Sequence, residues 1–231
     1  MIAHDLMALI TAGLTYGVIL VDPTWPFATW SPKGKGRSAE RHYDMMALDA
    51  IKALPIAKLA ARHCALFLWA TWPTMPIWNE VLTAWGFKYS GIGFLWVKVT
   101  PNATFIDLDA LRHGRTGHGL HWGMGYGTRA NTEPCLFARR GQPRRVAKNV
   151  HSVVIAPDEV MSPDLVIAPV REHSRKPDEV HERIERLFPG PYLELFARRA
   201  VPGWTVFGNE VVAEPSRGLV AQSDWIDGLA S

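Results

Sequence analysis

Asp22-Pro23-Thr24-Trp25 is the stretch with the clearest chemical content. It follows Val18-Ile19-Leu20-Val21, an apolar run rich in β-branched residues, which reads as a buried strand. Pro23 lacks an N–H and has a fixed φ, so it stops the strand. A carboxylate is thereby presented at the strand's carboxyl end, on a stiff turn that also carries Trp25 and Phe27. Ligands of open α/β sheets bind at that edge. An acceptor, a rigid turn and a flat aromatic could together hold a planar amine. Asp-Pro after a strand also occurs as a plain turn, so the motif needs company.

A second set of residues lies far along the chain. Ser174-Arg-Lys176-Pro177-Asp178-Glu179 carries helix-start signals, and Val180, Ile184, Leu187 and Phe188 form an apolar stripe behind them. Lys176 stands at the helix entrance, where backbone N–H groups also point, a natural seat for a carboxylate. Glu194 falls inside the apolar run Tyr192-Leu-Glu-Leu-Phe-Ala-Arg198 and needs a partner, with Lys176 and Arg198 as candidates. A short strand near 204–207 then ends in Gly208-Asn209-Glu210.

The elements that position these groups can be read from periodicity. Strands are expected at about 17–22, 64–70, 91–99 and 134–140, with helical segments over 47–62, divided at Pro55, and from Ile77 to Trp85, closed by Gly86. Alternating strands and helices imply parallel pairing. The fold class expected is α/β, a mostly parallel sheet with helices on both faces. The segment 26–43 is rich in Gly, Ser and Pro and holds Lys33, Lys35, Arg37 and Arg41, which reads as a basic loop beside the turn. Residues 100–131 form a long connection with Arg112, Arg115 and Arg129. Between Arg112 and Lys148 the only acid is Glu133, so the stretch reads either as a phosphate-facing surface or as a solvated basic face.

The 231 residues suit one α/β domain, expected over 1–211, with 212–231 a loosely ordered tail. A 48% apolar composition excludes wholesale disorder, and the net charge of +3 is too small to define a partner. Cys64 and Cys135 sit in apolar runs and read as core residues rather than a disulfide or zinc site. No metal is expected. Neither a membrane span nor a signal peptide is recognised, so a cytoplasmic protein is expected. Most of the ten tryptophans are expected in the core.

Taken together, Asp22-Pro23-Thr24-Trp25, Ser174 to Glu179, Glu194 to Arg198 and Gly208-Asn209-Glu210 resemble the MT-A70 family of adenine-N6 methyltransferases. Phe67-Leu-Trp69, Ala84 to Lys88, Trp96-Val-Lys98 and Asn131-Thr-Glu133 match in order, over roughly residues 5–211. The resemblance implies a Rossmann-like methyltransferase fold in permuted order, with the catalytic motif ahead of the cofactor motifs. It also implies S-adenosyl-L-methionine over the strands' carboxyl ends. Lys176 would meet its methionyl carboxylate, Arg198, Asn209 and Glu210 its ribose side, and Asp5 its adenine, with Asp22 also facing it. Tyr43 resembles the aromatic that ends the family's first active-site loop. The family usually has a second proline where Thr24 stands; the departure costs the turn stiffness but neither the carboxylate nor the Pro23 carbonyl.

The chemistry implied is methyl transfer to the exocyclic amine of adenine. Asp22 and the Pro23 carbonyl would each accept one N–H, freeing a lone pair otherwise delocalised into the ring. Trp25 would stack on the base, flanked by Phe27 or Tyr43. The adenine must be flipped out or already single-stranded. Lys33, Lys35, Arg37, Arg112, Arg115 and Arg129 would contact its backbone. DNA is the expected partner, as in short bacterial and phage members, and RNA is the alternative. A catalytically silent nucleic-acid-binding subunit and a protein-amide methyltransferase are further alternatives. Monomer and homodimer are both open.

Overall fold

The computed structural model describes residues 1–26, 45–100, 103, 105–121, 123, 127–156, 176–209 and 211. Its elements run β1 (Ile2–Ala3), α1 (Leu6–Thr11), β2 (Tyr16–Val21), α2 (Leu48–Lys52), α3 (Ile56–Leu59) and β3 (Ala60–Trp69). A 3₁₀ turn at Trp72–Thr74 leads into α4 (Met75–Ala84), β4 (Lys88–Lys98) and α5 (Leu108–Arg112). The rest are β5 (Thr132–Arg140), β6 (Val153–Ala156), α6 (Glu179–Leu187), β7 (Tyr192–Leu195) and β8 (Trp204–Phe207).

The strands form one eight-stranded sheet in the order β1-β8-β7-β2-β3-β5-β4-β6. Every neighbouring pair is parallel except those made by β5, which runs antiparallel to both β3 and β4. This is a Rossmann-like α/β fold. Parallel pairing of β3 directly with β4 is not what forms, because β5 lies between them. The chain leaves β4 and re-enters through β5 at the same edge of the sheet, which an antiparallel neighbour permits without a crossover.

β2 is central and buried on both faces. Ile19 and Val21 pack with α1, α2, α3 and α4, while Val18 and Leu20 pack with α6. Alternate residues of one strand thus feed two cores, as its unbroken apolar run requires. Four of the ten tryptophans, Trp69, Trp85, Trp96 and Trp204, are fully buried. Pro55 separates α2 from α3, and Gly86 closes α4 at φ +77. Phe67 anchors the second core, with its ring 5.4 Å from those of Phe94 and Phe137. Among the described residues no helix is long and apolar enough to cross a membrane.

β2 leads to β3 on one side, and β7 leads to β8 on the other. The crevice at the carboxyl ends of β2 and β7 is therefore the switch point of the sheet.

Glu179, in the first turn of α6, is an oddity of this frame. Both carboxylate oxygens are buried and lack a hydrogen-bond partner among the described residues. Burial pushes its pKa up to about 7, although Arg183 pulls it down. A raised carboxyl binds a proton in the folded state that the unfolded chain has released. Stability should therefore fall as pH rises from about 4.5 to about 7. Urea unfolding at pH 5 and pH 8 should show this loss, and Glu179→Gln should remove it.

Candidate active site

Asp22 is the first residue beyond β2, and its N–H still reaches the Leu195 carbonyl at 3.4 Å. Its Oδ2 lies 2.9 Å from Lys176 Nζ. The same ammonium is 2.9 Å from Glu133 Oε1, and Glu133 Oε2 is 2.7 Å from Lys98 Nζ. Two carboxylates and two ammonium groups thus alternate along the edge. Aromatic rings support them, with Lys98 Nζ 4.6 Å from the Trp96 ring centre and Lys176 Nζ 5.5 Å from that of Trp69.

The topology explains how these groups meet. Asp22, Trp69 and Lys98 come from the carboxyl ends of β2, β3 and β4. Antiparallel β5 starts at that edge, so Glu133, its second residue, arrives there too. Lys176 precedes α6, whose entrance is held by two contacts. His181 Nε2 lies 2.8 Å from Glu194 Oε2 on β7, and Arg199 lies 2.6 Å from Asp178.

Burial sets the electrostatics. The Lys176 and Glu133 side chains are 13% and 7% exposed. Burial alone would raise the Glu133 pKa, but Lys176 and Lys98 outweigh it and hold it down to about 2. Burial opposes the charge on Lys176 as well, yet Asp22 and Glu133 raise its pKa, so the ammonium keeps its proton. For Asp22 burial dominates and Lys176 only partly offsets it, leaving its pKa above the ordinary aspartate value. A more basic carboxylate is a stronger hydrogen-bond acceptor.

Beside this network lies a small crevice of about 30 Å³ whose lining includes Asp22, Lys176, Glu194, Phe196 and Arg198. Phe196 turns the chain after β7 at φ +62, a costly region for an aromatic residue. Gly208 follows β8, and a Cβ there would collide with the Ala197 carbonyl. The close approach of these two strand ends therefore requires glycine.

Several of the expected residues make contacts that the sequence did not announce. Trp25 is 8% exposed and packs in the core, its indole N–H donating to the Trp69 carbonyl at 2.8 Å. Its ring is a prop beneath the turn and offers no open face to a base. Glu194 pairs with His181, a partner the sequence reading did not name, because α6 lays His181 directly over β7. The Pro23 carbonyl already accepts the Trp25 N–H at 2.9 Å, which leaves one lone pair for another donor. The Asp5 carboxylate caps α1 by accepting from Met7 N at 2.8 Å.

Asn209 is exposed just beyond β8 at the same edge, and Arg198 lines the crevice. Arg112 ends α5, Arg115 pairs with Asp109, and Arg129 precedes β5, so all three belong to the connection over the site edge. Arg139, Arg140, Arg144, Arg145 and Lys148 follow the other end of β5 and lie toward the opposite edge. Phe27, Lys33, Lys35, Arg37, Arg41, Tyr43, Ser174 and Glu210 lie outside the described residues.

Glu133 and Lys98 are site residues that the motif reading did not assign. The signal was present, since an acid at the head of an apolar strand needs a buried partner just as Glu194 does.

Comparison with known proteins identifies the family. The MT-A70 family profile matches residues 16–210. The chain belongs to the MT-A70 family. It is 33% identical over 200 residues to an N(6)-adenosine-methyltransferase MT-A70-like protein of Arabidopsis thaliana, covering 85% of this chain and 24% of that one. It is 30% identical over 199 residues to the human N(6)-adenosine-methyltransferase catalytic subunit METTL3, covering 85% and 28%. Human N(6)-adenine-specific methyltransferase METTL4 matches at 30% over 211 residues, covering 86% and 38%. The MT-A70 chain thus spans about a quarter of the first relatives it matches.

Removing one member of a buried charge network strands its partners, typically at about 3–5 kcal/mol. Glu133→Gln should lower stability by about 3 kcal/mol at pH 7. Because the Glu133 pKa is depressed, its contribution is present above about pH 4.5 and disappears as pH falls toward 2. Wild type should lose its advantage over the variant across that window in urea titrations.

Proposed function

We propose that this protein is an S-adenosyl-L-methionine-dependent methyltransferase acting on the N6 amine of an unpaired adenine in nucleic acid. The observation that carries this reading is the Asp22–Lys176–Glu133 network at the switch point of the sheet. It places a basic carboxylate beside a proline carbonyl, at the edge where such folds bind ligands. The family supports the same chemistry.

The residues present fit the cofactor. Asp22 Oδ1 makes no hydrogen bond among the described residues, so it can face a cation. Lys176 and Arg198 supply cationic donors on the crevice wall, and Asn209 lies beyond β8. Lys176 would hold the methionyl carboxylate, with Arg198 and Asn209 toward the ribose. The bound cofactor supplies an activated methyl group.

The chain's own work is to position the acceptor nitrogen and sharpen its lone pair. Asp22 and the Pro23 carbonyl each accept one N–H of the amine, drawing the nitrogen toward tetrahedral geometry. The carboxylate also stabilises the positive charge that develops there. Lys176 keeps Asp22 and Glu133 apart as charged groups, so neither needs a proton to tolerate the other. The remaining contribution is alignment.

DNA is the acceptor we place first. The phrase "N(6)-adenosine" in the relatives' names favours RNA as the second reading. Methyl transfer from labelled cofactor to matched single-stranded DNA and RNA oligonucleotides discriminates them, and no transfer to either would refute the proposal. Asp22→Ala should lower kcat by at least about 10²–10³-fold while cofactor binding persists. Lys176→Ala should raise the cofactor's KM and lower kcat together, because it also leaves two carboxylates facing each other. In wild type, kcat/KM should fall on the acid side with an apparent pKa above 3.8, as the raised Asp22 value requires.

A further inference from the structure

We propose that Trp72 is a stacking platform for the nucleobase next to the acceptor adenine. This rests on the nucleic-acid reading above and goes beyond it by naming where the neighbouring nucleotide sits. Trp25, the aromatic next to the catalytic turn, is closed into the core, which leaves the site edge in need of another flat surface. Trp72 opens the 3₁₀ turn just past β3 and is 41% exposed, whereas Trp69, Trp85, Trp96 and Trp204 are buried.

Its ring is fixed rather than loose. The indole N–H donates to Thr132 Oγ1 at 3.0 Å and to the Thr132 carbonyl at 3.2 Å. Thr132 directly precedes Glu133, so the ring is pinned one residue from the charge network. The turn beneath it is stiffened by Pro73 and by Thr71 and Thr74, with Thr74 Oγ1 donating to the Thr71 carbonyl at 2.8 Å. Pinning an indole by its edge leaves its faces to other uses. Among the described residues no aromatic ring or cation packs on them.

An adenine drawn out of a stack leaves the adjacent base with one bare face. An immobilised indole can cover that face at little entropic cost, because its conformation is set in advance. Base–aromatic stacking is worth enough to change affinity about 5- to 150-fold, and it is sequence-tolerant. Trp72 is thus a substrate-positioning residue. It acts on oligonucleotide affinity and leaves the cofactor crevice alone.

The test compares Trp72→Ala, Trp72→Phe and wild type in binding a fluorescently labelled single-stranded oligonucleotide with one central adenine, read by anisotropy. Cofactor affinity is measured in parallel by calorimetry. Trp72→Ala should weaken oligonucleotide binding about 5- to 150-fold with unchanged cofactor affinity. Trp72→Phe, which keeps a ring but loses the bond to Thr132, should recover most of it. An oligonucleotide with abasic sites on both sides of the adenine should bind wild type and Trp72→Ala alike. Equal binding of the normal oligonucleotide by all three proteins overturns the platform, and so does a Phe variant as weak as the Ala variant, which would make Trp72 a structural anchor. Wild type that binds oligonucleotide but transfers no methyl would overturn the proposed activity while leaving the platform standing.

Discussion

One ammonium group buried between two carboxylates is the interaction on which this molecule's site depends. Lys176 lies 2.9 Å from both Asp22 and Glu133, in a place too dry for any of the three to stand alone. Without the lysine, Asp22 and Glu133 would repel each other across a low-dielectric gap, and one would take up a proton. With it, Glu133 stays strongly acidic while Asp22 remains the more basic of the pair. The asymmetry arises because Glu133 has a second cation, Lys98, at 2.7 Å. One carboxylate is therefore occupied on both oxygens, and the other keeps an oxygen for a ligand.

The sheet is arranged to make that meeting possible. Four groups must reach one edge from β2, β4, β5 and the entrance of α6. Parallel strands deliver their last residues to this edge, whereas β5, by running backwards, delivers its first. An all-parallel sheet would have carried Glu133 to the far side, a strand length of roughly 20–30 Å away. The same reversal carries Arg139 and Arg140 to that far side. The basic stretch that looks continuous along the chain is thus divided between two edges in space.

What could be read from the chain alone follows the same division between local and distant causes. The β2 run, the stop at Pro23, the break at Pro55 and the glycine end of α4 all express backbone chemistry within a few residues, and each is found where expected. The placing of Asp22 and Lys176 at one edge was also legible, since a strand end and a helix entrance face the same way in this architecture. The direction of β5 was not, because nothing in Thr132–Arg140 distinguishes a parallel from an antiparallel strand. Glu133 was overlooked for that reason, and His181 was missed as a partner of Glu194 because it approaches from a different layer. Trp25 misled for a related reason, since an aromatic beside a strand-end turn packs as readily beneath it as over it.

The buried Trp25 also bears on Thr24, where the resemblance to MT-A70 proteins implies a second proline. A proline ring stiffens a turn by removing φ freedom from the unfolded chain as well as the folded one. Thr24 restores that freedom, so the turn has to be held by contacts instead. Three such contacts are present. The Trp25 N–H returns to the Pro23 carbonyl at 2.9 Å, the Trp25 indole reaches the Trp69 carbonyl at 2.8 Å, and the Thr24 carbonyl accepts from Met46 N at 3.1 Å. The first closes the turn on itself, the other two tie it to β3 and to the chain entering α2, and together they fix the Pro23 carbonyl. Rigidity here comes from tertiary packing rather than from a ring. The turn's geometry is then coupled to the core, so a cavity under Trp25 would loosen the Pro23 carbonyl without touching Asp22 or Lys176.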